Sequence, residues 1–144
     1  MEPEPSPLHE ALARIGDRWT LLIVAALLDG PRRFGELSDE VGGLVPNGIA
    51  PNVLTKRLRQ LEADGIVVSS PYSRRPLRVA YELTGPGREL AGALALLTTW
   101  GQRHTDGEDT GHHAACGTTL EAKPWCPTCD RVVDEPEVSQ EISL

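Results

Sequence analysis

Two histidines and three cysteines lie within nineteen residues near the end of the chain, between His112 and Asp130. Four of them follow the pattern His-x2-Cys-x9-Cys-x2-Cys. Two close pairs of nitrogen and sulfur ligands are typical of a tetrahedral Zn²⁺ site, because each pair can chelate the metal from one tight turn. The pattern therefore predicts a zinc ribbon-like segment with the ligands His113, Cys116, Cys126 and Cys129. His112 is the alternative histidine ligand.

The same cysteines allow two other interpretations. A Cys-x-x-Cys pair with an internal proline also occurs at thiol-disulfide exchange sites, so Cys126 and Cys129 could be redox-active, or all three cysteines could be inert. Exchange sites begin a helix, and the residues after Cys129, DRVVDEPE, predict none. A segment with so few large apolar side chains needs a metal to fold, which favours zinc. Four protein ligands fill the coordination sphere and indicate a structural rather than a catalytic metal.

The charge of the chain is unevenly distributed. The net charge of the 144 residues is -7, yet the first 104 residues carry 12 basic and 12 acidic side chains, and the last 40 carry 2 and 9. Between Pro51 and Val79 there are six basic side chains and only two acidic ones. A basic stripe on a neutral body is suited to the phosphates of a nucleic acid, although the overall charge is acidic.

No segment predicts a membrane helix or a secretion signal. The longest apolar run, from Trp19 to Leu28, has ten residues, about half of the ~20 that a bilayer-crossing helix needs. The N-terminal residues MEPEPSPLHE are acidic and rich in proline, unlike a signal peptide. The odd number of cysteines also argues against a disulfide framework. We therefore expect a cytoplasmic protein with no membrane contact.

Hydrophobic periodicity predicts four helices in the first half of the chain. Asp17 is placed to cap the second helix, and Pro51 suits the first position of the fourth. On the fourth helix Leu54, Leu58 and Leu61 recur at helical spacing. The predicted order is a helix from Leu8 to about Ile15, a helix after Asp17, a short helix from Phe34 to Val41, and a helix that begins at Pro51 and is stopped by Gly65.

The period then changes to that of β-structure. IVVSS (66–70) and RVAYEL (78–83) are rich in β-branched residues and predict a hairpin whose tip, PYSRRPL, is basic. Helical spacing returns after Thr84, the predicted N-cap of one last helix that reaches His104. Two helices joined by a turn and followed by a basic hairpin indicate a winged helix-turn-helix, a mainly α fold with a small β-hairpin wing.

The fourth helix is then the recognition helix, the helix that enters the major groove. If its leucines face the core, its polar side chains face outward, where arginine can pair with guanine and asparagine with adenine. The arginines of the wing can reach the DNA backbone or a neighbouring minor groove. The predicted DNA-binding residues are Asn52, Thr55, Lys56, Arg57, Arg59, Arg74, Arg75 and Arg78. No Gly-rich phosphate loop or catalytic triad is present, so we expect no enzyme activity.

Three stretches resemble one known family. LARIGDRWTLLIVAALLDGPRRFGELSDEV, IAPNVLTKRLRQLEADGIV and PLRVAYELTGPGREL are similar to the HxlR-type bacterial winged-helix transcriptional regulators, related to the MarR type, from about Ser6 to His104. The resemblance implies a homodimer that joins through its first and last helices and binds a roughly palindromic operator in double-stranded DNA. Many members have a Cys-Pro pair where this chain has Ser6-Pro7, so a thiol switch at that position is excluded.

The sequence thus predicts a sequence-specific transcriptional regulator in four parts: a disordered lead (1–7), a DNA-binding and dimerisation domain (8–104), the zinc ribbon-like segment (105–133) and an acidic tail (134–144). Two other functions are a protein-interaction adaptor that uses the zinc segment, and a thiol-redox protein that uses Cys126 and Cys129. Trp19 and Trp100 are expected in core or dimer packing, and in a dimer they could border a pocket for a small-molecule effector.

Overall fold

The computed structural model describes residues 4–105 and 111–134. Most of the predicted acidic tail and the first three residues of the lead lie outside the described residues. Two compact units are present, one from Leu8 to Leu94 and one that includes the residues from Ala95 onward. No helix within the described residues is long and apolar enough to cross a membrane.

Four helices make up the first half of the larger unit, as the periodicity predicts. They are α1 (Pro7–Ile15), α2 (Arg18–Leu27), α3 (Phe34–Leu44) and α4 (Pro51–Ala63). The Asp17 carboxylate caps α2, because it accepts hydrogen bonds from the backbone N–H groups of Trp19 (2.8 Å) and Thr20 (3.1 Å). Pro51 begins α4, where its missing N–H leaves no donor unpaired.

Three strands form an antiparallel sheet in the order β1-β3-β2. The first strand precedes α3 in the chain, and the other two follow α4. The sheet consists of β1 (Arg32–Arg33), β2 (Val67–Arg74) and β3 (Leu77–Leu83), and the sequence analysis missed β1. The hairpin of β2 and β3 is the predicted wing, but its turn is shorter than PYSRRPL because pairing continues to Arg74 and Leu77. Pro71 does not end β2, because β2 is an edge strand and an edge strand tolerates proline.

The last predicted helix is divided in two, α5 (Gly85–Arg88) and α6 (Ala91–His104). Thr84 caps α5 as predicted, since its Oγ1 accepts a hydrogen bond from the backbone N–H of Gly87 (3.2 Å). The chain tightens between the two helices, where Leu90 N–H donates to the Gly87 carbonyl at 3.2 Å. The prediction of one continuous helix was therefore wrong at this point.

The core of the larger unit is built mainly from α2, α3, α4, β2 and β3. Ile23 and Val24 of α2, Leu37 of α3, and Leu54 of α4 are fully buried. Leu90 and Leu94 pack against this core from the start of the last helical region, and Trp19 packs against it from α2. The mainly helical fold with a small hairpin wing is thus the one that the sequence predicts.

Candidate DNA interface and C-terminal cysteine segment

The buried leucines of α4 determine which of its side chains face solvent. Leu54, Leu58 and Leu61 are each no more than 1% exposed. Residues on the other side of the helix therefore lie in solvent. Asn52, Lys56 and Arg59 are exposed there, and Thr55 is half-buried beside them with its hydroxyl donating to the Pro51 carbonyl (2.9 Å).

Five side chains of α4 line one surface depression of about 580 Å³: Asn52, Thr55, Lys56, Arg59 and Gln60. We call this set the α4 polar face. Four of the five are predicted DNA-binding residues, and the structure brings them together. The sequence analysis did not name Gln60. Its position one residue after Arg59 and four after Lys56 could have indicated that it lies on the same side of the helix. The face offers the amide, ammonium and guanidinium donors that recognise base edges and phosphates.

The wing presents its arginines at the tip of the hairpin. Arg74 pairs with Leu77 across the turn, Arg75 lies in the turn itself, and all three side chains are exposed. Arg78 lies opposite Ser73 and is exposed as well. The structure therefore places the wing arginines on the surface of the hairpin, and their contact with the DNA backbone stays a prediction.

Arg57 lies apart from the other predicted DNA-binding residues. Its guanidinium Nη1 is 3.0 Å from Asp17 Oδ2, and both side chains are about one-third exposed. Its Nε is buried without a hydrogen-bond partner. The side chain therefore connects α4 to the N-terminus of α2, and a DNA contact by Arg57 stays a prediction.

A second surface with two arginines lies between α3 and the wing, and the sequence analysis named only its Arg78. The Arg33 guanidinium lies over the Tyr72 ring, 4.5 Å from its centroid. Arg33, Phe34, Tyr72 and Arg78 line a depression of about 430 Å³ together with three other residues. The preceding Arg32 points inward instead, since its Nε donates to the Ala26 carbonyl at 2.6 Å. Adjacent side chains of a strand point to opposite sides, so the two arginines of β1 have different partners.

The C-terminal segment contains two turns that carry the predicted metal ligands. In the first, the backbone N–H groups of Cys116 (3.2 Å) and Gly117 (2.7 Å) donate to the His113 carbonyl. Gly117 has a φ of 70°, which glycine adopts without strain. The turn places His113 Nδ1 3.3 Å from Cys116 Sγ.

The second turn links two short antiparallel strands, β4 (Trp125–Cys126) and β5 (Arg131–Val132). Cys126 pairs with Arg131 across the turn, and Cys129 lies within it. Asp130 follows Cys129 with a φ of 52°. Both turns therefore have the same form: two ligands three positions apart, followed by one residue of positive φ. We call them the first and second knuckles.

Hydrogen bonds within each knuckle favour the thiolate form of one cysteine. Contacts from Thr118, and then from His113, lower the pKa of the Cys116 thiol. Backbone N–H groups of Cys129 and Thr128, and the Cys129 side chain, lower the pKa of the Cys126 thiol. All three cysteines are free of disulfides. Thiolates are the form of cysteine that binds metals and attacks disulfides.

The two knuckles are separate in the structure. Within residues 4–105 and 111–134, no three His, Cys, Asp or Glu side chains form a group that could hold a metal ion. His112 lies outside the first knuckle turn and forms a β-bridge with Thr119. The structure thus brings the predicted ligands together in two pairs, His113 with Cys116 and Cys126 with Cys129, and does not bring the pairs into one group.

Comparison with known proteins relates the larger unit to one family. Residues 14–109 match the model of the HxlR-like helix-turn-helix proteins. The chain belongs to this family. An HTH-type transcriptional regulator of Mycobacterium tuberculosis, Rv3095, is 32% identical over an alignment of 142 residues, and the match covers 96% of this chain and 86% of that protein. The regulator YtcD of Bacillus subtilis is 41% identical over 97 residues, which are 67% of this chain and 73% of YtcD.

Solved structures of transcriptional regulators agree with the described fold. The crystal structure of YtcD has a TM-score of 0.60 and 39% identity, and the match covers 69% of this chain and 97% of that one. The redox regulator HypR in its reduced form has a TM-score of 0.60 and 36% identity, with 69% of this chain and 95% of HypR covered. The chain is a DNA-binding transcriptional regulator of the helix-turn-helix type.

Proposed function

We propose that this regulator binds a roughly palindromic operator as a homodimer, with α4 in the major groove and the wing on the neighbouring backbone. The observation that carries the proposal is the α4 polar face, a continuous set of exposed donors held outward by three buried leucines. Donors of this kind on a recognition helix read base edges, because each base pair presents a distinct pattern in the major groove.

Different residues have different roles in the proposed complex. Arg59 pairs with guanine O6 and N7 in the bidentate manner, and Asn52 pairs with adenine. Thr55 and Lys56 contact either bases or phosphates. The wing residues Arg74 and Arg75 contact the backbone or the adjacent minor groove, so they contribute affinity with little dependence on sequence.

Uncovered apolar side chains support the proposed homodimer. Helix α1 has no buried residue, and its Leu8 and Leu12 are 50% and 55% exposed. On α6, Leu97 and Trp100 are 54% and 62% exposed. Apolar surface of this size on both the first and the last helix of the fold is typical of a buried interface between subunits. In a two-fold dimer, two copies of α4 would read half-sites about one helical turn apart.

Selection of bound fragments from the source genome would identify the operator, and titrations with it test the roles. Arg59→Ala is expected to weaken operator binding by about 1 to 3 kcal/mol and to relax the preference at one base position. Arg74→Ala is expected to weaken binding to all sequences alike. It should also reduce the slope of log K against log salt concentration by about 1, because one phosphate contact is lost.

Arg88→Ala is the matched control for these variants. Arg88 is an exposed arginine of α5, beside the C-terminal end of α4, where the Thr84 hydroxyl donates to the Gly65 carbonyl at 2.6 Å. Its removal changes the net charge equally but leaves the α4 polar face intact. Equal affinity and equal salt slope for Arg59→Ala, Arg74→Ala and the control would refute the assigned interface. Absence of DNA binding at every salt concentration would favour the protein-interaction adaptor.

A further inference from the structure

We propose that the two knuckles form one structural Zn²⁺ site whose ligands are His113, Cys116, Cys126 and Cys129. The proposal goes beyond DNA binding, because it concerns a part of the chain outside the α4 polar face and the wing. It rests on the local geometry of each knuckle and on the exposure of the surrounding side chains.

The backbone of each knuckle is already in the conformation that a chelating turn requires. Two successive N–H groups turn toward the His113 carbonyl in the first knuckle, and Gly117 lets the chain leave the turn at a φ of 70°. The second knuckle repeats the positive φ at Asp130 (52°), a residue type that tolerates this conformation better than most. Because both turns are formed, metal binding would not have to fold either pair of ligands first.

The donor atoms suit zinc. His113 Nδ1 and Cys116 Sγ are 3.3 Å apart, close enough to be neighbouring ligands of one ion with bond lengths of about 2.0 to 2.3 Å. Cys126 and Cys129 supply two more sulfur atoms from the second knuckle. One nitrogen and three sulfurs form a soft donor set that selects Zn²⁺ over Mg²⁺ or Ca²⁺. Four protein ligands leave no open position, so the site is structural.

The rest of the segment provides a reason for a metal to be needed. Its large apolar side chains are mostly exposed: Leu120, Trp125 and Val132 are 53%, 55% and 50% exposed, and only Val133 is half-buried. They do not form a buried core, and the regular structure described between residues 111 and 134 is the two-residue ladder of β4 and β5 together with one isolated bridge. A segment of this size without a core obtains its folding free energy from a metal or from disulfides. Disulfides do not account for all of an odd number of cysteines.

The separation of the knuckles determines what metal binding would change. The described residues contain no preformed group of three ligands, so Zn²⁺ must draw the two knuckles together. Binding would therefore order the connection between them. Two backbone hydrogen bonds lie close to the ligands: Leu120 N–H donates to the Gly111 carbonyl, and Val133 N–H donates to the Pro124 carbonyl. On metal binding these two amide hydrogens would become better protected from exchange.

The experiment begins with metal analysis of the full chain purified without added zinc and again after supply of Zn²⁺. The expected result is one zinc per chain. Replacement by Co²⁺ should give the visible spectrum of a tetrahedral site with sulfur-to-cobalt charge transfer. Hydrogen exchange should show protection of Leu120 and Val133 that a chelator removes, while α2 and α4, which have their own core, stay protected. A zinc content near zero under both conditions, with three thiols that alkylate freely, would overturn the proposal.

Single variants test the ligand assignment. Cys116→Ser, Cys126→Ser and His113→Ala are each expected to lower the zinc content, and His112→Ala is the matched control that should retain it. Loss of zinc in His112→Ala with retention in His113→Ala would overturn the assignment of His113. A disulfide between Cys126 and Cys129 in the purified protein, together with no bound metal, would overturn the site and favour the thiol-redox interpretation.

Discussion

Replacement of Asp17 by alanine should destabilise the larger unit more than its partly exposed position suggests. Asp17 accepts the capping bonds from the first turn of α2, and its Oδ2 also accepts a hydrogen bond from the Thr20 hydroxyl at 2.8 Å. The same carboxylate is paired with Arg57 of α4 at 3.0 Å. One side chain therefore begins a core helix and connects it to the recognition helix.

The expected loss follows from these contacts. Removal of an N-cap carboxylate costs about 1 kcal/mol. Thr20 is only 2% exposed, and loss of the acceptor for its hydroxyl costs about 1 kcal/mol more. The ion pair with Arg57 is one-third exposed, so screening by solvent limits its contribution to a few tenths of a kcal/mol. We therefore expect Asp17→Ala to lower the free energy of unfolding by about 2 kcal/mol and Tm by roughly 10 °C.

Asp17→Asn separates the cap from the charge. Asparagine caps helices as well as aspartate does, so this variant should keep the capping bonds. An amide NH2 at the position of Oδ2 can only donate, so the ion pair is lost and the hydrogen bond with the Thr20 hydroxyl must reverse its direction. The loss of stability should therefore be smaller than that of Asp17→Ala. Although burial raises the pKa of Asp17, hydrogen bonds from Thr20 and Trp19 and the Arg57 charge lower it below its usual value of 3.8. A lowered pKa stabilises the fold above pH 3.8, and this contribution is lost as the pH falls from 3.8 through the folded-state pKa.

Urea unfolding followed by circular dichroism measures these differences at one protein concentration, since dimerisation would make stability depend on concentration. The difference between wild type and Asp17→Asn should be constant near neutral pH and should shrink as the pH falls below 3.8. An Asp17→Ala variant within 0.5 kcal/mol of wild type, at an unchanged m value, would refute the reasoning about the cap.

Three other outcomes are expected. Gly87→Ala should destabilise the protein by more than 1 kcal/mol in the same assay, because the added Cβ would collide with the Ile66 backbone carbonyl; an unchanged stability would contradict this packing. Leu97→Glu should make the proposed dimer monomeric in sedimentation at micromolar concentration, while Leu77→Glu on the wing should not. Arg57→Gln should lower stability but keep the salt slope of DNA binding, whereas a slope reduced by about 1 would show a phosphate contact.

The candidate DNA interface could be predicted because the information for it is local. The spacing of Leu54, Leu58 and Leu61 defines the buried side of α4, and a helix with one side fixed presents its other residues in a known direction. Asp17 and Thr84 could be recognised as caps for the same reason, since a cap needs only the residues of its own first turn. Each of these predictions depends only on residues within or directly before a single helix.

Contacts between distant residues were not visible in the sequence. Arg32 and Arg33 form β1 only because they pair with Tyr81 and Ala80 of β3, and two arginines have no strand signal of their own. Pro71 does not interrupt β2, because β2 lies at the edge of the sheet. The position of a strand within a sheet depends on the other strands and is not visible in the strand's own sequence.

The tertiary structure also decided where the last helix is divided and which residue Arg57 contacts. The last helix is divided where Gly87 packs closely on the Ile66 carbonyl, although helical periodicity continues through this point. Arg57 has the same side chain as Arg59 and lies only two positions away, but helical geometry turns it toward Asp17. Sequence patterns determined the elements and the directions of their faces, because these depend on neighbours along the chain. Pairing between elements depends on neighbours in space, so only the folded structure could decide it.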